Sequence, residues 1–149
     1  MQKLILILLL FFFNSTIYSQ ASEEYFRTLR NDKVNLRQGP SFEYPIKIIY
    51  KKKFLPLLVQ DSSDNFRKVR DHENNTGWIH ISQLSKKKAA IVISDNEIMF
   101  KSSTIFSNPI AILKKGRFVK ISKCKKSWCK VESENYKGWI KRDSLWGLL

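Results

Sequence analysis

Val34-Asn35-Leu36-Arg37-Gln38-Gly39-Pro40-Ser41, answered about forty residues later by Gly77-Trp78-Ile79, decides how the rest of the chain is read. In the first stretch apolar and polar residues alternate and then stop at a Gly-Pro pair, the pattern of a strand running into a tight turn. Gly39 is free to take a positive φ there, and Pro40 holds its own φ near about −65°. Between the two stretches Ile46, Ile48, Val59, Phe66 and Val69 fall in short runs, separated by Asp61-Ser62-Ser63-Asp64-Asn65 and by residues 71–76. The hydrophobic period is two rather than 3.6, which predicts strands joined by turns. Single 3₁₀ turns near 81–84 and 142–145 are the most helix expected after the N-terminal segment.

The pattern occurs twice. Val34-Asn35-Leu36-Arg37 can be laid over Ile98-Met99-Phe100-Lys101, and Pro45-Ile46-Lys47-Ile48-Ile49 over Pro109-Ile110-Ala111-Ile112-Leu113, both at a separation of 64. Phe66-Arg67-Lys68-Val69 matches Trp128-Cys129-Lys130-Val131 at 62, and the Gly-Trp pairs Gly77-Trp78 and Gly138-Trp139 lie 61 apart. Differences in loop length produce such a drift, so about 60 residues are read as duplicated once, with Lys86-Lys87-Lys88 near the junction. Short strands over so few residues bury an open sheet poorly, whereas a five-stranded barrel closed on itself removes most free edges. The expectation is therefore an all-β chain of two tandem small five-stranded barrels, over 22–86 and 87–149. Gly77 and Gly138 are expected to let the chain pass close beside a neighbouring backbone. Two roles stand open for Trp78 and Trp139, core packing and a ligand platform, core packing being favoured by the apolar area each would bury. Phe26 and Trp146 are placed at the ends of the units or at the joint between them.

The opening octapeptide and the Gly-Trp-Ile stretch resemble the signature of bacterial SH3 (SH3b) domains. Tyr44-Pro45-Ile46 after the turn, the cysteines around Trp128 and the terminal Leu145-Trp146-Gly147 resemble a family of small exported proteobacterial SH3-domain proteins, over residues 27–147. In the second unit Ser102-Ser103-Thr104 replaces the Gly-Pro turn and Phe100-Lys101 replaces Leu-Arg, so that unit is degenerate. The resemblance implies SH3-like barrels and a groove lined by loop aromatics, for which Phe42, Tyr44, Tyr50 and Phe66 are the candidates. Asn35 and Arg37 are the polar candidates: Arg37 can hold a carboxylate in bidentate fashion, or both residues can brace the adjacent turn. His80 reads as a lone exposed histidine.

Residues 1–21 carry Lys3 as their only charge, an unbroken apolar run over 4–13, and Ser19-Gln20-Ala21. That is the layout of a secretory signal peptide cleaved after Ala21. The rival reading is a retained anchor, but ten residues rise only about 15 Å as a helix, roughly half the hydrocarbon thickness. No Cys lies near the cleavage point, so a lipid-linked form is not expected. Export to the periplasm or cell envelope makes a disulfide the natural fate of Cys124 and Cys129, spaced to face each other across a hairpin. So short a ring contributes only about 2 kcal/mol. Free thiols, a redox pair and a zinc site are the alternatives; the last two lack the Cys-x-x-Cys helix start and the further ligands they need.

Lys and Arg outnumber Asp and Glu by 27 to 13, a net charge of +14. Residues 22–85 hold 11 basic and 8 acidic side chains, residues 86–149 hold 15 and 5. Lys114, Lys115, Lys120, Lys123, Lys125, Lys126 and Lys130 are read as one basic patch around the cysteine hairpin, able to hold a polyanion by counterion release. AT-rich coding is the alternative source of that lysine abundance. With only two His, both in the first unit, neither a Cys-His pair within one unit nor a metal-binding His cluster is available, and no Ser-His-Asp arrangement has support. Neither an enzyme, a cofactor, a metal nor a small-molecule substrate is expected. The function read from this is a non-catalytic envelope binding protein whose SH3b-type groove takes peptidoglycan or an envelope protein. The alternative is a basic adaptor docking on an anionic polymer or membrane surface: anionic lipid, lipopolysaccharide or nucleic acid.

Overall fold

The computed structural model describes residues 23–149; the segment read as a signal peptide lies outside the described residues. Seven strands come from the first half: β1 (Tyr25–Leu29), β2 (Val34–Arg37), β3 (Ile46–Tyr50), β4 (Pro56–Ser63), β5 (Phe66–Arg70), β6 (Thr76–His80) and β7 (Leu84–Ser85). Seven more follow: β8 (Ala89–Val92), β9 (Asn96–Phe100), β10 (Pro109–Lys114), β11 (Phe118–Lys125), β12 (Trp128–Ser133), β13 (Tyr136–Lys141) and β14 (Leu145–Trp146). The 3₁₀ turns Ile81–Gln83 and Arg142–Ser144 sit where the sequence predicts them.

The all-β character holds, but the closed five-stranded barrels do not form. Each half is an open seven-stranded antiparallel sheet, in the order β3-β2-β6-β5-β4-β1-β7 and β10-β9-β13-β12-β11-β8-β14. Two strands per half account for the difference. In the first half β1 precedes the opening motif and pairs with β4 from Tyr25↔Val59 to Thr28↔Pro56, and the two-residue β7 pairs with β1. They extend the sheet on one side while β3, bonded only to β2, remains an edge on the other. Leu29 and Leu84 from one side of the sheet nevertheless share a core with Val34 and Leu36 from the other, so the sheet curls over its own apolar face without joining its edges. Register shifts between Leu36 and Arg37 and between Val59 and Asp61 are bulges that sharpen the bend.

The inner face follows the period of two. Val69 and Ile79 in the first half, Val131 and Ile140 in the second, are fully buried, each such side chain contributing roughly 1.5–3 kcal/mol of apolar burial. Gly77 and Gly138 are where the sheet is tightest. A Cβ at Gly77 would lie 2.6 Å from Leu36 Cγ and 2.7 Å from the Arg37 carbonyl oxygen; at Gly138 it would lie 2.6 Å from Met99 Cγ and 2.7 Å from the Phe100 oxygen. Each glycine thus lets the Gly-Trp strand seat against the first motif strand, as expected. The residue that enters the core is the following isoleucine and not the tryptophan. Trp78 and Trp139 are half-buried and belong to neither core cluster.

These contacts also correct the alignment of the repeats. Leu36 corresponds to Met99 and Arg37 to Phe100, and the pairs Leu36↔Ile48 and Val34↔Tyr50 recur as Met99↔Ala111 and Glu97↔Leu113, a separation of 63 and not 64. Glu97 therefore occupies the core-facing position of Val34. Its carboxylate is satisfied there by Ser144 Oγ, by Ser94 Oγ at 3.1 Å and by the Lys141 N–H at 3.1 Å.

The two sheets pack on each other. Ile91 and Phe118 of the second join the first core, and Phe26 meets Trp146 edge to face at 4.9 Å, the joint role expected of that pair. Thr28 Oγ1 donates to the Lys87 carbonyl at 2.8 Å, and the Ile121 N–H donates to the Lys88 carbonyl at 3.0 Å, so both halves hold the connecting lysines.

Candidate binding surface

On β6, Gly77 and Ile79 face the core, which turns Trp78 and His80 to the outer face. Strand register then sets their neighbours. Trp78 lies directly opposite Arg37 on one side and Lys68 on the other, and His80 lies opposite Phe66. Phe66 is only 6% exposed although it belongs to neither core cluster. It is covered from outside: the Phe42 ring sits 5.1 Å away and the His80 ring 5.2 Å away, both edge to face, and Phe42 and His80 are 5.1 Å apart. Each such aromatic pair contributes about 0.5–1.5 kcal/mol beyond area burial. Phe42, 60% exposed, presents its other side to solvent.

The loop that carries Phe42 is braced by Arg37. Its Nη1 donates to the Phe42 carbonyl at 2.9 Å and the Tyr44 carbonyl at 2.8 Å, and the guanidinium lies 5.5 Å from the Phe42 ring centre. Of the two roles open for Arg37, turn bracing is the one it fills here. Gly39 does not take the positive φ the sequence allows. Its missing Cβ instead makes room for the Tyr44 ring, whose carbons would come within 2.6 Å of a side chain there. On the far side of the trio, His80 Nδ1 accepts the Ser82 N–H at 3.3 Å, which leaves Nε2 as the donor of the neutral ring.

Arg37, Phe42, Tyr44 and Phe66 thus come together among the sequence candidates, and Trp78, His80 and Lys68 join them. Asn35 lies opposite Ile49, and its buried Oδ1 has no hydrogen-bond partner among the described residues. Tyr50 lies apart, at the Val34 end of β3, packed against the first core. Its hydroxyl donates to Asp71 Oδ2 at 2.8 Å, and burial first, then that carboxylate, pushes the phenol well above its usual range. Asp71, itself buried, ties its own loop by accepting from the N–H groups of Glu73 and Asn75 and from Asn75 Nδ2.

The seven lysines are distributed over β11, its partner β12 and the turns at the two ends of β11. Lys123, Lys125, Lys126 and Lys130 surround the hairpin closed by the Cys124–Cys129 disulfide, whose residues pair directly across β11 and β12 with Cα atoms 4.0 Å apart. Lys114 and Lys115 lie at the β10–β11 turn, in a pocket shared with Lys52, Arg117 and Glu134, where Arg117 and Glu134 form an ion pair at 2.6 Å. Lys120 lies beside Phe54 and the connecting lysines. The eight-residue β11 spans roughly 23 Å, so the β10–β11 turn and the disulfide hairpin lie at its opposite ends with Lys120 between them.

A family model described as bacterial SH3 domain matches residues 30–86 and 100–147. A comparison with curated proteins returns no match. Among solved structures the chain is similar to NlpC2 from Trichomonas vaginalis, at 13% identity and a TM-score of 0.39 over 83% of this chain and 48% of that one. It is similar also to an NlpC/P60 family protein from Bacillus cereus ATCC 10987, at 10% identity and a TM-score of 0.37 over 81% of this chain and 55% of that one. The chain spans about half the length of these structures.

Proposed function

Because the chain belongs to the bacterial SH3 domain family, we propose that it is a non-catalytic binding protein of the exported cell envelope that takes peptidoglycan, or a protein carrying similar chemistry, on the outer face of its first repeat. Domains of this family are binding modules and generally take peptidoglycan or envelope partners. The N-terminal segment, read as a secretory signal, directs the protein to the compartment where such partners are found. The observation that carries the reading is the exposed Phe42, packed against Phe66 and His80 beside the row Arg37–Trp78–Lys68. A half-buried indole flanked by two cations suits a peptide or glycan strand laid flat on the ring, with a carboxylate reaching Lys68 or the remaining guanidinium donors. His80 Nε2 adds one donor at the rim.

The test is co-sedimentation of the full chain with purified peptidoglycan sacculi at low and at moderate salt. Retention that survives moderate salt, and falls about tenfold or more in Phe42→Ala and Trp78→Ala, supports the reading. Retention only at low salt, unchanged in both variants, would assign it to the lysines. No retention at either salt turns the search to a protein partner on the same face.

A further inference from the structure

Phe54 has no counterpart in the surface just described. It holds a φ of +64°, a left-handed conformation uncommon for a bulky side chain, fixed by donation of its N–H to the Leu29 carbonyl at 2.9 Å. Three ammonium groups gather on its half-buried ring: Lys87 Nζ at 5.2 Å from the ring centre, Lys53 Nζ at 5.5 Å and Lys120 Nζ at 5.9 Å. They come from the first half, the connecting segment and the second half. With Lys88 and Ile121, the residues Phe54, Lys87 and Lys120 line a pocket of about 270 Å³. Among the described residues none of these four lysines makes an ion pair. The arrangement is also anchored, since the carbonyls of Lys87 and Lys88 are bound by Thr28 and Ile121.

Ammonium groups gathered around a single ring repel one another unless an anion sits among them. The ring offers each ammonium a cation–π contact but no counter-charge. We infer that this inter-repeat pocket is an anion site for a phosphoryl group, with Lys87, Lys88 and Lys120 as its donors. Lysine is a compact point charge suited to phosphate, and the planar fork that recognises a carboxylate in bidentate fashion is missing, because no arginine lines the pocket. A multiply charged group neutralises more of the cluster than a carboxylate can. The volume lies just below that of pockets for drug-sized ligands, which fits a head group rather than a whole chain. The site is independent of the first repeat's outer face.

Its test titrates the full chain with glycerol 3-phosphate, and separately with phosphatidylcholine vesicles containing phosphatidate. Binding is followed by amide shifts in the first case and co-flotation in the second. The double variant Lys87→Gln/Lys120→Gln is compared with Lys125→Gln/Lys126→Gln, which removes equal charge at the hairpin tip. The expected result is at least a tenfold loss of affinity in the first variant and less than twofold in the second. Response to both probes assigns the bare phosphoryl group, and response to vesicles alone, with the same dependence on Lys87 and Lys120, assigns a lipid head group. Equal losses in the two variants, or no response to either probe, would overturn the inference.

Discussion

The same sheet is built twice and finished differently. On the outer face of the first repeat the row across the strands reads Arg37–Trp78–Lys68; on the second it reads Phe100–Trp139–Lys130. The first repeat's pair Phe66 and His80 becomes Trp128 and Lys141. The aromatic trio is lost with it: Trp128 packs edge to face on Phe100 at 5.7 Å, while Lys123 lies over Trp139 at 5.8 Å. The loops are braced differently. Phe100 stands where Arg37 stands and has no donors to offer; the second loop is held instead within itself, the Ser107 hydroxyl accepting the Ser102 N–H at 2.9 Å and the Thr104 hydroxyl accepting the Phe106 N–H at 3.3 Å. Ile105 occupies the place of Phe42, and the next residue, Phe106, is 91% exposed. Facing inward, Leu36, Val69 and Ile79 stay apolar as Met99, Val131 and Ile140, with Glu97 in the place of Val34 as the exception; facing outward, Trp and Lys recur while Arg37, Phe66 and His80 are replaced, so the comparison separates what builds the sheet from what the first repeat alone presents.

Substitutions of the shared inner face are expected to have the largest effect and to treat the repeats alike. Ile79→Ala and Ile140→Ala each leave a cavity in a fully buried position and are expected to cost about 2–5 kcal/mol in chemical denaturation. A loss confined to one of them would break the claim that both cores are built the same way. Next come Gly77→Ala and Gly138→Ala. Each forces a Cβ against a carbonyl oxygen across the sheet, with an expected cost of about 1–3 kcal/mol, whereas Gly116→Ala meets no neighbouring atom and strains only its positive φ.

Much of this inner face was legible before any coordinates, because alternation, turn residues and the two Gly-Trp pairs are local signals. The cysteine pairing was legible for the same reason, since Cys124 and Cys129 need only a hairpin between them. Open sheets instead of closed barrels were not legible. The deciding strands are β7 and β14, two residues each and too short to leave a period, and β1 and β8, which precede the motif strand in each half. The slip from 64 to 63 was hidden because Ile98-Met99-Phe100 is apolar at every position, and a one-residue shift reverses which side chains face the core. His80 passed for a lone histidine because its partner Phe66 is defined by the length of the loop at 71–75 rather than by spacing along the chain. The outward placement of Trp78 could have been read from Ile79: in a strand where Gly77 and Ile79 face in, the residue between them faces out.

Outer-face variants sharpen the comparison on a smaller scale. Phe42→Ala uncovers Phe66 and removes two ring contacts, so a stability loss of about 1–2 kcal/mol in thermal or denaturant unfolding is expected. Ile105→Ala, at the corresponding place in the second repeat, removes a side chain already 56% exposed and should change stability by less than about 0.5 kcal/mol. Equal effects would mean that the trio adds nothing beyond its exposed area.

The smallest difference is one of pH. Tyr50 and Leu113 hold the same place in the two repeats, but only Tyr50 can titrate. Burial and the Asp71 carboxylate raise the Tyr50 phenol in the folded protein above its ordinary value of 10.0. The unfolded chain therefore releases this proton first as the solution becomes alkaline. Since the folded state then holds more protons than the unfolded one, stability falls as pH rises above about 10, and the contribution is fully present below that. Tyr50→Phe should remove this part of the alkaline loss while costing about 1 kcal/mol at neutral pH for the lost hydrogen bond, a modest cost because Asp71 keeps three other donors. The check is a set of denaturation curves between pH 7 and about 11, followed at amides of both sheets. A steeper fall in the first sheet, flattened by Tyr50→Phe, would tie alkaline sensitivity to that phenol. An unchanged slope in the variant would move the cause to other groups and leave the Tyr50–Asp71 contact a purely structural brace.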